Sequence, residues 1–168
     1  LEKEENAFTR LTAGLVSRGQ ILAAKLGLGT IVGLAVVVIL LAALSAFVPI
    51  QWSRAPVWIL AGLLGAGAFA AVGAALGAAT REVRAATLAA VMLCLPFALL
   101  SLVPDDAVGP LIETVITVVT AAFPFRPALD ALTGGLEVSG PSVWLPLLHL
   151  AVLIAIYGGL ARVALRRF

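Results

Sequence analysis

The stretch LGLGTIVGLAVVVILLAALSAFVPI, residues 26–50, contains no charged side chain. About 20 apolar residues in an α-helix are enough to cross the hydrocarbon core of a bilayer, so this stretch predicts a transmembrane helix. The whole chain has the same character, because 62% of its residues are hydrophobic and only 12% are charged. Soluble domains carry about 25% charged residues. We therefore predict an all-α integral membrane protein.

Three further apolar runs are each long enough to cross a bilayer as a helix. They are residues 57–79, 85–103 and 143–161. Together with the first run they predict four transmembrane helices. A transmembrane domain, residues 26–168, therefore follows a polar N-terminal segment, residues 1–25.

A fifth apolar run, residues 109–123, is too short to match the others. As a helix it would measure about 22 Å, against a hydrocarbon core of about 30 Å. Pro124 and Pro127 then interrupt any helix that continues past it. We therefore predict a short re-entrant region over residues 109–132, before the last span.

The N-terminal segment contains an apolar stripe. Phe8, Leu11 and Leu15 recur at the spacing of one helix face, which predicts an amphipathic helix. Such a helix can lie on the membrane surface or dock in a groove of a soluble partner, and periodicity alone does not choose between them.

A helix start follows this stripe directly. Ser17 and Gln20 have the spacing of a capping box, in which each side chain bonds the other residue's backbone N–H. The first transmembrane helix is therefore predicted to start near Arg18 and to pass Lys25 at the head groups.

The distribution of Lys and Arg predicts the topology. With four spans and a cytoplasmic N-terminus, nine basic residues lie inside and two, Arg54 and Arg126, lie outside. The nine are Lys3, Arg10, Arg18, Lys25, Arg81, Arg84, Arg162, Arg166 and Arg167. Cytoplasmic loops carry the excess of basic residues, so both ends of this chain are predicted to be cytoplasmic. The predicted location is the plasma (inner) membrane, as a multi-pass protein.

The residues of catalysis and metal binding are sparse in this chain. It has one cysteine, Cys94, and one histidine, His149, whereas zinc sites need three or four ligands. No Walker loop, His-Glu-x-x-His or Gly-x-Ser-x-Gly motif is present. The basic residues flank apolar runs and form no patch with aromatics, which argues against nucleic acid. We predict no catalytic site, no metal site and no cofactor bound by this chain.

Two ionisable residues, Glu113 and His149, lie inside apolar runs and are candidates for a substrate path. Glu113 can equally be a carboxylate at a helix start, which the helix dipole favours. His149 can equally be a hydrogen-bonded structural residue.

Gly73 and Gly77 form a GxxxG pattern within the second span. This pattern is typical of close helix packing in lipid, although an alanine-rich composition produces it too.

Several stretches resemble the ABC-2-type transporter permeases. They are Glu4-Glu5, Phe8-Thr9-Arg10-Leu11, the run from Val16-Ser17-Arg18-Gly19-Gln20 to Leu26, residues 77–86, Leu95-Pro96 and Phe123-Pro124-Phe125. The resemblance extends over essentially the whole chain and corresponds to the last four of the family's usual six spans. It implies that earlier spans precede this sequence.

The resemblance implies a permease, most simply an exporter, that pairs with a second permease subunit as a homodimer. Two ATP-binding subunits would bind and hydrolyse ATP with Mg²⁺. The residues that match the family's coupling helix and its junction with the span, and that would contact the ATP-binding subunit, are Glu5, Phe8, Arg10, Leu11, Leu15, Ser17 and Arg18.

Two other functions fit the same composition. One is a membrane scaffold or assembly protein that recruits a soluble partner through its N-terminal helix. The other is a permease of the haem-exporter type, which has a similar charged N-terminal segment.

Overall fold

The computed structural model describes residues 17–47, 52–80, 82–103, 108–136 and 142–166. These residues form six α-helices and one short 3-10 helix. The α-helices are α1 (Arg18–Leu44), α2 (Ala55–Ala79), α3 (Val83–Ser101), α4 (Pro110–Ala121), α5 (Phe125–Leu136) and α6 (Trp144–Arg166), and the 3-10 helix, Trp52–Arg54, leads into α2.

Four helical segments are long and apolar enough to cross a membrane, which confirms the predicted all-α membrane fold, whereas the re-entrant placement of residues 109–132 stays a prediction. They are Gly19–Leu44, Trp52–Ala79, Arg84–Ser101 and Trp144–Leu165. A fifth crossing is formed only if α4 and α5 count as one span, and these two helices meet at an angle of 92°. The amphipathic helix predicted near the N-terminus lies outside the described residues and stays a prediction.

The start of α1 has the predicted capping box. The Ser17 Oγ accepts from the backbone N–H of Gln20 at 3.2 Å, and the Gln20 Oε1 accepts from the backbone N–H of Ser17 at 2.8 Å. The two bonds satisfy backbone donors that a helix N-terminus leaves without intrahelical partners. The first span therefore has a defined start at Arg18.

Helices α1 and α2 pack antiparallel along a seam of small residues. A Cβ added at Gly33 would lie 2.9 Å from the Ala66 Cβ, and one at Gly29 would lie 3.0 Å from the Ala70 Cβ. Farther along the seam, a Cβ at Gly62 would lie 3.2 Å from a methyl group of Val37. Small residues let helix backbones approach this closely in lipid, where no hydrophobic effect drives association.

Helix α5 runs antiparallel along another side of α2. Its end meets the start of α2, since a Cβ at Gly135 would lie 3.2 Å from the Trp58 Cα. Its start meets the middle of α2, where the Phe125 and Phe69 ring centroids are 4.7 Å apart. The end of α5 is therefore level with the beginning of α2.

Helix α6 packs beside α2 and runs parallel to it. A Cβ at Gly67 would lie 3.2 Å from the Ile154 Cδ1. The start of α6 lies beside Asp130 of α5, whereas Tyr157, farther along α6, contacts Phe123 just before α5, so α6 runs antiparallel to α5 and therefore parallel to α2. The buried core lies between α2, α5 and α6 and comprises Ala61, Ala68, Ala128, Ala131, Leu147 and Leu150.

Candidate functional site

The bend between α4 and α5 is anchored by aromatic rings. Phe123 stacks on Phe97 of α3, with centroids 4.1 Å apart and planes at 15°. It also lies edge-to-face with Tyr157 of α6 at 6.4 Å. Beyond Pro124, Phe125 makes the contact with Phe69 of α2. The Phe-Pro-Phe sequence thus attaches the bend to three neighbouring helices.

Two side chains of α6 satisfy backbone carbonyls where α4 ends. The His149 Nε2 lies 2.8 Å from the Ala121 carbonyl oxygen, and the Tyr157 hydroxyl donates to the Ala122 carbonyl oxygen at 2.7 Å. Because a carbonyl only accepts, the His149 proton is placed on Nε2. The last carbonyls of a helix have no intrahelical partner, and leaving them unpaired in lipid is unfavourable. Helix α6 therefore stabilises the broken end of α4.

A small open cleft of about 150 Å³ lies between α4, α5 and α6. It is lined by Thr117, Ala121, Arg126, Pro127, Asp130, Leu145, Pro146 and His149. The Arg126 Nη1 donates to the Thr117 Oγ1 at 3.4 Å, which links α5 to α4 across one wall. The cleft thus combines a cation, a carboxylate, a hydroxyl and an imidazole with apolar side chains.

Glu113 and His149, the two candidates for a substrate path, lie in different parts of the structure. His149 lines the cleft and is hydrogen-bonded, as one of its two interpretations predicts. Glu113 is half-buried in the first turn of α4 and is not among the cleft residues. It is one helical turn before Thr117 and therefore shares its helix face. A place on a substrate path stays a prediction for both.

The GxxxG glycines of α2 do not pack closely against another helix in the described part of the chain. A Cβ added at Gly73 or Gly77 would meet nothing within 4 Å, and both residues are exposed. The close contacts of α2 with α1 are instead made by Gly62, Ala66 and Ala70. The role of Gly73 and Gly77 in helix packing stays a prediction.

Most of the predicted coupling segment lies outside the described residues, namely Glu5, Phe8, Arg10, Leu11 and Leu15. Ser17 is the N-cap of α1 and Arg18 is its first residue. The two are therefore placed at the junction between that segment and the first span.

The grouping of Thr117, Arg126 and Asp130 with His149 was not predicted from the sequence. A signal was present, because Arg126 and Asp130 are four residues apart and so share one helix face. Which helix that face meets depends on the 92° bend. Among the described residues, no group of three or more His, Cys, Asp or Glu side chains is arranged to bind a metal ion.

The sequence matches a known protein family. The model described as ABC-2 family transporter protein matches residues 1–163. No curated protein and no solved structure matches the chain.

Proposed function

The chain belongs to the ABC-2 family of transporter proteins, and from that premise we propose that it is an exporter permease driven by ATP hydrolysis on a separate subunit. Membership makes it a multi-pass membrane component of an ABC transporter that works with an ATP-binding subunit and is not itself catalytic. Export, the coupling to ATP and the residues that carry them are the proposal. We infer ATP and Mg²⁺ on the partner and no cofactor in this chain.

The coupling proposal rests on Ser17, where the N-terminal segment joins the first span. The family match begins at residue 1, so it includes the segment that contains Phe8 and Leu11. The capping box then fixes the start of a 27-residue helix, Arg18–Leu44. The close seam between α1 and α2 extends the connection, since the α1 backbone at Gly33 packs directly against Ala66 of α2. A displacement of the coupling segment would therefore move two spans together.

The proposed topology places both ends in the cytoplasm and the α4–α5 pair as a re-entrant hairpin entered from the outer side. The Lys and Arg distribution supports the cytoplasmic ends. The contacts of α5 support the hairpin, because its end at Gly135 lies level with the start of α2. Helix α3 packs against the bend through Phe97, which is near its own C-terminus. We place the protein in the plasma membrane.

We propose that a second copy completes the permease as a homodimer. Exposed Gly73 and Gly77 leave open space along α2 where another helix can approach closely. Glu113 and His149 are proposed to border the outer part of the substrate path, since they lie on and beside the hairpin.

The test of coupling is a pair of substitutions in the stripe, Phe8→Asp with Leu11→Asp. We expect ATPase stimulation by substrate to fall roughly tenfold in the complex with the ATP-binding subunit, because two apolar anchors are lost. Membrane insertion is expected to remain normal. Stimulation would be measured on the purified complex in nanodiscs.

The control is Thr9→Asp, which adds a single negative charge off the stripe. It should leave the stimulation within about twofold, because surface changes away from a contact have small effects. Unchanged stimulation in the Phe8 and Leu11 variant would contradict the coupling role. Failure of the permease to co-purify with any ATP-binding subunit would contradict the proposed function as a whole.

A further inference from the structure

The middle of α5 lies at the depth of the hydrocarbon core. The candidate span that contains α2, Trp52–Ala79, has 28 residues, whereas about 20 residues cross the core. Wherever a core of about 20 residues is placed along this span, it includes residues 60–71. Helix α5 meets this part of α2, because a Cβ added at Gly65 would lie 3.5 Å from the Ala128 Cβ. Ala128 and its neighbours on α5 are therefore at core depth.

Two charged residues of α5 flank Ala128 and share its depth. Arg126 and Asp130 line the cleft, and Asp130 is exposed on the surface of the chain. Both side chains interact with other groups of the chain, but pairing does not remove the cost of placing charges against lipid. A long Arg side chain can reach toward the head groups, whereas the short Asp side chain cannot. Ionisable side chains at this depth face the interior of a helix bundle or a water-filled cavity.

Helix α4 has a polar side and an apolar side. Glu113 and Thr117 are one turn apart on the side that meets the cleft. On the opposite side, at 100° of rotation per residue, are Leu111, Val115 and Val118. These three side chains are 77%, 54% and 67% exposed. A helix divided in this way fits a boundary with lipid on its apolar side and water on its polar side.

The cleft has room for water and extends toward the start of α6. Its volume of about 150 Å³ holds several water molecules, each of which occupies about 30 Å³ in the liquid. Along α6 the lining continues from His149 back to Pro146 and Leu145 in the first turn. The helix begins at Trp144, which is 74% exposed, and such tryptophans are enriched at the level of the head groups. The cleft therefore extends from core depth toward the membrane surface.

From the depth, the charges and the two sides of α4 we infer that a polar wall, formed by Thr117, Arg126, Asp130 and His149, borders a water-filled cavity within the bilayer. The cavity opens to the outer side, a placement that rests on the proposed topology. A cargo that passes this wall meets polar groups, so the cargo that fits has a polar or charged part. The presence of water rests only on the embedding of the chain in a bilayer, so its failure would leave the coupling proposal standing.

The experiment compares Thr117→Cys with Val118→Cys, each in a Cys94→Ser background, on intact cells with a charged, membrane-impermeant methanethiosulfonate. The two positions are exposed neighbours on α4, so they are matched in depth. Thr117→Cys is expected to react at least about tenfold faster, because the reactive thiolate forms in contact with water and not in lipid. Ala121→Cys also lines the cleft and keeps the bond between Arg126 and Thr117, so it serves as a second variant that is expected to react.

Labelling after denaturation in SDS verifies that each thiol is present, and thermal unfolding in detergent verifies that each variant is folded. Equal rates at positions 117 and 118, or no reaction at positions 117 and 121 in the native protein, would overturn the inference. Reaction only after permeabilisation would overturn the opening to the outer side. A second copy that covers the polar wall would give disulfide-linked dimers of Thr117→Cys that the reagent does not reach, which also overturns it. Coupling is tested separately, by ATPase stimulation.

Discussion

The seam between α1 and α2 and the bend between α4 and α5 are stabilised in different ways. The seam brings together two unbroken helices by close backbone approach at Gly29, Gly33 and Gly62. The bend interrupts the backbone and is anchored by rings and by the hydrogen bonds of His149 and Tyr157. An unbroken helix forms all of its backbone hydrogen bonds within itself, so its packing in lipid needs only a complementary shape. A broken helix also needs hydrogen-bond donors from neighbouring helices for its unpaired carbonyl groups.

The largest expected effect is at the bend. Phe123→Ala removes the ring that contacts both Phe97 and Tyr157 and leaves a cavity at a site that is only 5% exposed. We expect unfolding to become easier by about 3 kcal/mol, the low end for such substitutions, because lipid contributes no hydrophobic term. Thermal unfolding in detergent measures it.

The control for this loss is Phe47→Ala, at a side chain that is 87% exposed. It should change stability by less than about 0.5 kcal/mol. Equal effects of the two substitutions would show that Phe123 does not anchor the bend.

A somewhat smaller effect is expected at the seam. Gly33→Leu places a side chain where even a Cβ would lie 2.9 Å from the Ala66 Cβ. Separation of the two helices is expected to destabilise the fold by about 2 kcal/mol, within the range of overpacked cores. Gly27→Leu on the same helix is the matched control, since a Cβ there meets nothing within 4 Å. A seam that does not need close approach would tolerate both changes equally.

The sequence was sufficient to predict the spans and the start of α1, because these depend on local signals. Uncharged runs define the spans, and Ser17 with Gln20 defines the helix start. The small residues of α2 also marked a packing face. Their periodicity did not separate Gly62, which packs on α1, from Gly73, where an added Cβ would meet nothing within 4 Å.

Local sequence patterns could not predict the polar contacts of the bend between α4 and α5. His149 is 28 residues away from the carbonyl that it satisfies, and Tyr157 is 35 residues away from its own. A helical period relates residues three or four apart and carries no information on such partners. The grouping of Arg126 with Thr117, nine residues apart across the bend, was missed for the same reason.

The smallest expected effect separates hydrogen bonding from ring packing at the bend. Tyr157→Phe keeps the ring beside Phe123 and removes the hydroxyl that donates to the Ala122 carbonyl. We expect a loss of about 1 kcal/mol, because hydrogen bonds within membrane proteins contribute modestly. Ser45→Ala is the comparison, since its hydroxyl also donates to a carbonyl near a helix end but does so within its own unbroken helix. Its loss should be smaller, and the reverse order would contradict the requirement for donors at the bend.

The central claim is a four-span permease whose α4–α5 pair enters and leaves the membrane on the outer side. Single cysteines at Gly19, Gly109 and Ser142, each introduced by substitution in a Cys94→Ser background, test it with a membrane-impermeant maleimide on intact cells. Gly109→Cys and Ser142→Cys, which flank the pair, are expected to react from outside, and Gly19→Cys only after permeabilisation. Labelling of the two flanking positions from opposite sides of the membrane would contradict the hairpin and the cytoplasmic end of α6.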